Sequence, residues 1–402
     1  MPPKTTHSEN NEGEEHSIRR RKNRVPAKRN LGKSKEKLSK AVARKVLSGE
    51  ARPKQAVKKQ KVLEKSPREG PVSLYIPPGA SLCENGPRLT KEQLRPIAIK
   101  WVRRTLDKGV EGLRMEFAAQ KKQVDPSLMK EFVANWPNGK NRYKDVGCLD
   151  ETRVVLNPKS NNCDYIHANY VSTPQNDKRF ICTQGPLDTT VFDFWRMVLQ
   201  ERSSIILMLC NLIEKGMKKC AEYWPQKPGD KITFDNITVL NVVTKMHELP
   251  METASKVQIR ISGICIFVDE KKAHSVDHLQ WVDWPDRGVP PCDLTPIALL
   301  NQIRRTRFPI IVHCSAGIGR TGSIVMLEYM LERLMVGEEI ENMDVLITQL
   351  RSQRAYSIQT DQQYLYIHRV TLEYFVKKGL ITIDYGPKMG KFIADYNKHC
   401  ES

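Results

Sequence analysis

Residues 310–322 read Ile-Ile-Val-His-Cys-Ser-Ala-Gly-Ile-Gly-Arg-Thr-Gly. The β-branched start suits a strand buried on both faces. Glycines at 317 and 319 mark a sharp turn, after which apolar spacing resumes with the period of a helix. A strand running through such a turn into a helix lets successive backbone N–H groups converge on one point, a site for a tetrahedral oxyanion. Cys314 heads the turn, where those N–H groups and the helix dipole favour a thiolate. Arg320, six residues on, can lay its planar guanidinium across the cradle and hold two phosphate oxygens at once. Thr321 is placed to hydrogen-bond the sulfur. A bare Cys-x5-Arg would also suit a buried structural cysteine beside a glycine turn; the whole run from His313 to Gly322 points to chemistry.

Outward from this segment, the pattern downstream predicts helices around 321–336, 343–353 and 360–377. Upstream, short β-rich runs between turn residues predict strands at 153–156, 179–182, 205–209, 232–234, 238–243, 257–266 and 309–313, with a helix over 188–200. Thr90-Lys-Glu-Gln93 has capping-box spacing, and apolar residues recur at Leu94, Ile97, Ile99, Val102 and Leu106, so order is expected to begin with a helix near Thr90. Strands mixed with helices imply an α/β fold, a twisted mixed sheet flanked by helices, over residues 90–380. Residues 1–89 and 381–402 read as tails.

The chain has 402 residues, 65 basic and 46 acidic, for a formal charge of +19, and +13 of that lies in residues 1–90. Residues 1–70 lack aromatic residues and apolar periodicity, so burial cannot offset their ordering entropy, and disorder is expected. Two basic clusters, 19–24 and 58–61, suit nucleic acid, acidic lipid or an import receptor as partner. Without interleaved aromatic residues, sequence-specific reading of bases is not expected. The longest apolar stretch, around 205–210, falls far short of the roughly 18–20 residues that span a bilayer. The N-terminus is too polar for a secretory signal. Ten scattered cysteines without a C-x-x-C pair argue against a thiolate zinc site and a disulfide framework. These features lead us to expect an intracellular, cytoplasmic monomer, with the nucleus as a further location suited to the basic clusters.

The loop at 313–322 is one of several matching motifs. Trp284-Pro-Asp286 is followed by Arg287-Gly-Val-Pro290. Others are Lys140-Asn-Arg-Tyr143-Lys-Asp145, Asp164-Tyr-Ile166, Thr183-Gln-Gly-Pro186, Glu214-Lys215, Lys219-Cys-Ala-Glu-Tyr-Trp-Pro225 and Gln359-Thr-Asp-Gln-Gln363-Tyr. In these motifs the chain resembles the classical protein tyrosine phosphatases of non-receptor type, and its layout is similar to the small non-receptor members numerous in nematodes. The resemblance implies hydrolysis of phosphotyrosine in proteins through a cysteinyl-phosphate. Cys314 would be the nucleophile and Asp286 the general acid and then base. Arg320 and the N–H groups of Ser315, Ala316, Gly317, Ile318 and Gly319 would hold the phosphoryl oxygens.

By the same resemblance, Gln359 and Gln363 would orient the hydrolytic water, Tyr143 would pack on the phosphotyrosine ring, and Asp145 would accept from the substrate backbone. Glu214 would pair with Arg320, Lys219 would contact the closed acid loop, Tyr223 would fix His313, and Trp284 would support the acid loop. No metal and no cofactor are expected, since Arg320 and the N–H cradle supply the positive field.

Three residues depart from the family pattern. His167 stands where Asn is usual, which bears on hydrogen bonds bracing the substrate loop against Arg354. Arg287 stands where Phe or His is commoner, and Tyr356 where some members have a small residue. A catalytically impaired fold acting as a phosphotyrosine-binding module is the alternative, and Cys314, Asp286 and Arg320 weigh against it. A dual-specificity or lipid phosphatase would lack Lys-Asn-Arg-Tyr and the Gln359/Gln363 motif.

Overall fold

The computed structural model describes residues 89–120, 125–157, 163–247, 257–381 and 386–400. The expected disordered leader and its basic clusters lie outside the described residues. Helix α1 (Lys91–Ala119) starts at the expected capping box: the Thr90 N–H donates to Gln93 Oε1 at 2.8 Å, and the Gln93 N–H returns to the Thr90 hydroxyl. Gly109, at φ +62°, breaks the helix midway.

Nine strands form one sheet in the order β1-β2-β3-β11-β4-β10-β9-β8-β7. The central four are parallel: β3 (Asn176–Thr183), β11 (Ile310–His313), β4 (Ile205–Met208) and β10 (Lys271–Trp281). Antiparallel strands extend the sheet on both sides, β1 (Arg153–Val155) and β2 (Tyr165–Thr173) on one, β7 (Lys231–Phe234), β8 (Ile237–His247) and β9 (Ile259–Val268) on the other. A small hairpin, β5 (Ile213–Glu214) with β6 (Met217–Lys218), stands apart.

Every residue of β11 is buried, as its apolar composition requires. Its chain leaves the sheet at the carboxyl end, where open parallel sheets bind their ligands, and enters α5 (Arg320–Met335). That helix is buried around nearly its whole circumference, against β2, β3, β11, α1 and two further helices, α4 (Thr295–Ile303) and α7 (Asp361–Lys377). The remaining helices are α2 (Lys130–Ala134), α3 (Val191–Gln200), α6 (Met343–Arg351) and α8 (Gly386–Cys400).

Each expected strand and helix is present, with shifted ends. Two strands of the main sheet lie outside the sequence expectations, as do the two-residue strands β5 and β6. In β2 the buried His167 and Asn169 interrupt the apolar run, while β10 begins with the exposed Lys271 and Lys272. The segment 381–402, read as a tail, carries the fifteen-residue α8, which packs on α1 and α7 and buries Phe392 and Tyr396. No helix of the described residues is long and apolar enough to cross a membrane.

Candidate active site

The turn after β11 is wrapped so that its carbonyl groups face the protein. Ser315 O accepts from the Gly185 N–H, Gly319 O from the Ser323 N–H, and Ile318 O from the N–H groups of Gly322 and Ile358, at 2.9–3.1 Å. The Arg354 guanidinium, wholly buried, donates to Gly317 O at 3.1 Å and Ala316 O at 3.2 Å. With the carbonyls drawn outward, the N–H groups of Ser315, Ala316, Ile318, Gly319 and Arg320 have no protein acceptor among the described residues. Such a concave array of donors suits an oxyanion. Gly317 is obligatory here: it has φ +71°, and a Cβ on it would lie 2.0 Å from Thr183 O. A Cβ on Gly319 would meet only the side-chain amides of Gln363 and Gln359, at 2.9–3.2 Å, and would displace them.

Cys314 is buried at the head of this turn, and its Sγ accepts from the Gly317 N–H at 3.2 Å. The expected bond from Thr321 is absent: its hydroxyl is buried and has no partner, and the sulfur draws its hydrogen bond from the loop backbone instead.

Arg320 is fixed from both sides. It donates to Glu214 through Nη1 (2.6 Å) and Nη2 (2.7 Å), to Leu209 O (2.7 Å), and to Asp286 Oδ1 (3.0 Å). Burial alone would lower its pKa, but the Glu214 bond and the charges of Cys314 and Glu214 raise it, so it stays cationic. Asp286 Oδ2 accepts from Lys219 Nζ at 2.8 Å, so the acid loop is folded over the cradle. Burial pushes the Asp286 carboxyl up, yet the Lys219 hydrogen bond and the Arg320 and Lys219 charges outweigh it and hold it below its ordinary value. Trp284 anchors the loop: its indole N–H donates to Gly288 O at 3.2 Å, and its ring meets Trp281 and Tyr366 edge-on.

Behind the loop, Tyr223 Oη lies 2.7 Å from His313 Nε2 and 2.6 Å from His278 Nε2. Burial pushes His313 down to about 4, so the ring is neutral. Its Nδ1 faces Cys314 O at 3.1 Å and must carry the proton. Tyr223 therefore donates to His313 and accepts from His278, which is stacked on Trp224. His278 lies in β10, whose exposed, charged start hides that strand from the sequence pattern.

On the near wall, Tyr143 Oη and Ser315 Oγ are 2.8 Å apart, and Ser315 donates to Lys219 O at 3.0 Å. Gln184 braces this loop by accepting from the Arg142 N–H and donating to Lys140 O, both at 2.9 Å. Asp145 is exposed beside it. Gln363 reaches back to accept from the Gln359 N–H at 2.9 Å. His167 keeps both neighbours: Nδ1 lies 3.2 Å from Arg354 Nη2, and Nε2 lies 2.8 Å from Val146 O, three residues beyond Tyr143. Burial and the Arg354 charge push it down to about 3, so it is a neutral acceptor towards the arginine. Arg287 is exposed with φ +64°, and Tyr356 has φ +63°.

A cysteine in a backbone anion cradle, with an arginine and a carboxylic acid facing it, defines a site for phosphoryl chemistry. Residues 137–373 match the protein-tyrosine phosphatase family, and the chain belongs to that family. Relatives include tyrosine-protein phosphatase non-receptor type 9 of Homo sapiens, 35% identical over 264 residues (60% of this chain, 43% of that protein). The Lar-like tyrosine-protein phosphatase of Caenorhabditis elegans is 34% identical over 316 residues (75% and 14%). The chain thus spans less than half the length of these curated relatives. Among solved structures, the catalytic domain of human protein tyrosine phosphatase non-receptor type 18 is 28% identical with a TM-score of 0.55, over 71% of this chain and 98% of that one. PTPN18 in complex with HER2 phosphopeptides is 29% identical with a TM-score of 0.57, over 69% and 99%.

Proposed function

We propose that the chain is a protein tyrosine phosphatase that releases phosphate from phosphotyrosine in proteins through a cysteinyl-phosphate intermediate. The observation that carries this reading is the contact of Arg320 with Asp286 above a cradle of unpartnered N–H groups centred on Cys314. The thiolate attacks phosphorus in line, the P–O bond to the phenol breaks, and Asp286 gives its proton to the leaving oxygen. Its carboxylate then takes a proton from the water that displaces sulfur, and inorganic phosphate leaves. The N–H groups and Arg320 stabilise charge on the equatorial oxygens.

Asp286 must be protonated for the first step, although Lys219 and Arg320 hold its pKa down in the free protein. A phosphate dianion in the cradle engages Arg320 and brings negative charge beside the carboxyl, and both effects favour the acid. Tyr143 supports selection of the phosphorylated aromatic side chain, since the wall it forms with Ser315 favours a long side chain over phosphoserine. Gln359 and Gln363 are suited to orient the water. Gln363→Ala mixed rapidly with a phosphotyrosine peptide should accumulate a phosphorylated enzyme, seen by mass and lost in Cys314→Ser. Turnover without a trappable phosphoenzyme in any variant would reject the covalent route.

The same reading makes Cys314 sensitive to peroxide and recoverable by thiol. It places the protein inside the cell, in the cytoplasm or nucleus, as a monomer acting on phosphotyrosine-containing proteins. The basic leader would set its location by binding nucleic acid, acidic lipid or an import receptor; unchanged cellular distribution after deletion of residues 1–70 would reject that role.

A further inference from the structure

We propose that Lys140 and Cys163 form a second redox site, at which peroxide joins the lysine nitrogen to the cysteine sulfur in a reversible covalent cross-link. Lys140 Nζ donates to Cys163 Sγ at 3.0 Å and to Asp193 Oδ2 at 2.9 Å. Asp193 is itself held by Arg196 at 3.0 Å. The carboxylate thus pins the ammonium with its nitrogen against the sulfur, and only 17% of the lysine side chain is exposed. Cys163 is a half-buried thiol outside any disulfide.

Other cysteines are in unlike surroundings. Burial pushes Cys148 up to about 11 and Cys182 and Cys220 up to about 12, which keeps them as unreactive thiols. Cys163 instead has an ammonium 3.0 Å from its sulfur, and thiols with a cationic neighbour are those that react with peroxide.

The chemistry takes two steps. Hydrogen peroxide oxidises the Cys163 sulfur by two electrons to the sulfenic acid and is reduced to water. Lys140, after giving its ammonium proton to solvent, attacks that sulfur through its neutral amine. An S–N bond forms, the S–OH bond breaks, and the hydroxyl leaves as water with the second amine proton. A small thiol reverses the link by attacking sulfur and freeing the amine. The hydrogen bonds to Cys163 and Asp193 raise the Lys140 pKa despite its burial, so the second step should accelerate with pH. The link would join the segment just before β2 to the loop that carries Tyr143, at residues with no hydrogen bond to Cys314, Arg320 or Asp286 among the described residues.

The test uses the full chain as Cys314→Ser, so that the proposed nucleophile does not consume oxidant. It is treated with hydrogen peroxide, digested without reductant and read by peptide mass. We expect a Lys140–Cys163 linked peptide pair about 2 Da lighter than its parts. Its yield should rise from about pH 7 to about pH 9 and vanish on adding thiol. It should also be absent from Lys140→Arg, which keeps a cation on Asp193, and from Cys163→Ser, each checked for native circular dichroism. Conversion of Cys163 to sulfinic acid without a linked pair, an unreacted Cys163, or an undiminished pair mass in Lys140→Arg would overturn the proposal.

Discussion

Asp286 stands between two cations while its proposed role requires a proton. A general acid works below its pKa and is lost as pH rises through it, so a carboxyl held low gives an alkaline limb at low pH. Lys219 contributes through its hydrogen bond and its charge. Lys219→Met should therefore raise the Asp286 pKa and move the alkaline limb of kcat/KM to higher pH; a limb that stays put or moves down would contradict this assignment. Asp286→Ala should remove the limb and lower kcat by about 10²–10⁴-fold with little change in KM, measured on a phosphotyrosine peptide. The sequence carried the identities of Cys314, Arg320 and Asp286 openly. It did not carry Arg354's hold on the Ala316 and Gly317 carbonyls, nor the unpartnered Thr321 hydroxyl. The first depends on where the chain after α6 comes to rest against the turn, which no local pattern encodes.

The cradle is one element whose shape is fixed by backbone. Gly317→Ala adds a Cβ 2.0 Å from Thr183 O at a position with φ +71°. Conformation alone costs about 1–2 kcal/mol, and the contact forces the turn away from β3. We expect loss of inhibition by oxyanions such as tungstate together with loss of turnover; unchanged tungstate affinity would mean that the turn does not bind the phosphoryl group. The strand into the turn was legible because Ile310, Ile311 and Val312 are apolar without interruption. The helix α8 was not, since its core contribution rests on few side chains, chiefly Phe392 and Tyr396 with Met389. Phe392→Ala should cost about 3–5 kcal/mol in urea unfolding; a change below 1 kcal/mol, roughly surface-like, would detach α8 from the folded body.

Across the whole molecule, buried neutral histidines set the acid limit of stability. Burial pushes His313 and His368 down to about 4, and burial with the Arg354 charge pushes His167 down to about 3. In the unfolded chain each titrates near 6.5. Between these values the unfolded state binds more protons, so stability is full above about pH 6.5 and falls as pH drops towards 4. The urea midpoint should decline steadily over that window, and His368→Gln should flatten part of the decline; a midpoint independent of pH would refute the neutral assignment. The charge imbalance of the first 90 residues was plain in the composition, but what it binds depends on a partner's chemistry and not on this chain's own packing.

Phosphate release tests the central claim most directly. Wild type, Cys314→Ser and Asp286→Ala would be compared on a phosphotyrosine peptide and a phosphoserine peptide with EDTA present. The account predicts release from phosphotyrosine alone, abolished by Cys314→Ser and strongly slowed by Asp286→Ala. A folded wild type that binds the phosphotyrosine peptide without releasing phosphate would contradict it and leave a binding module in its place.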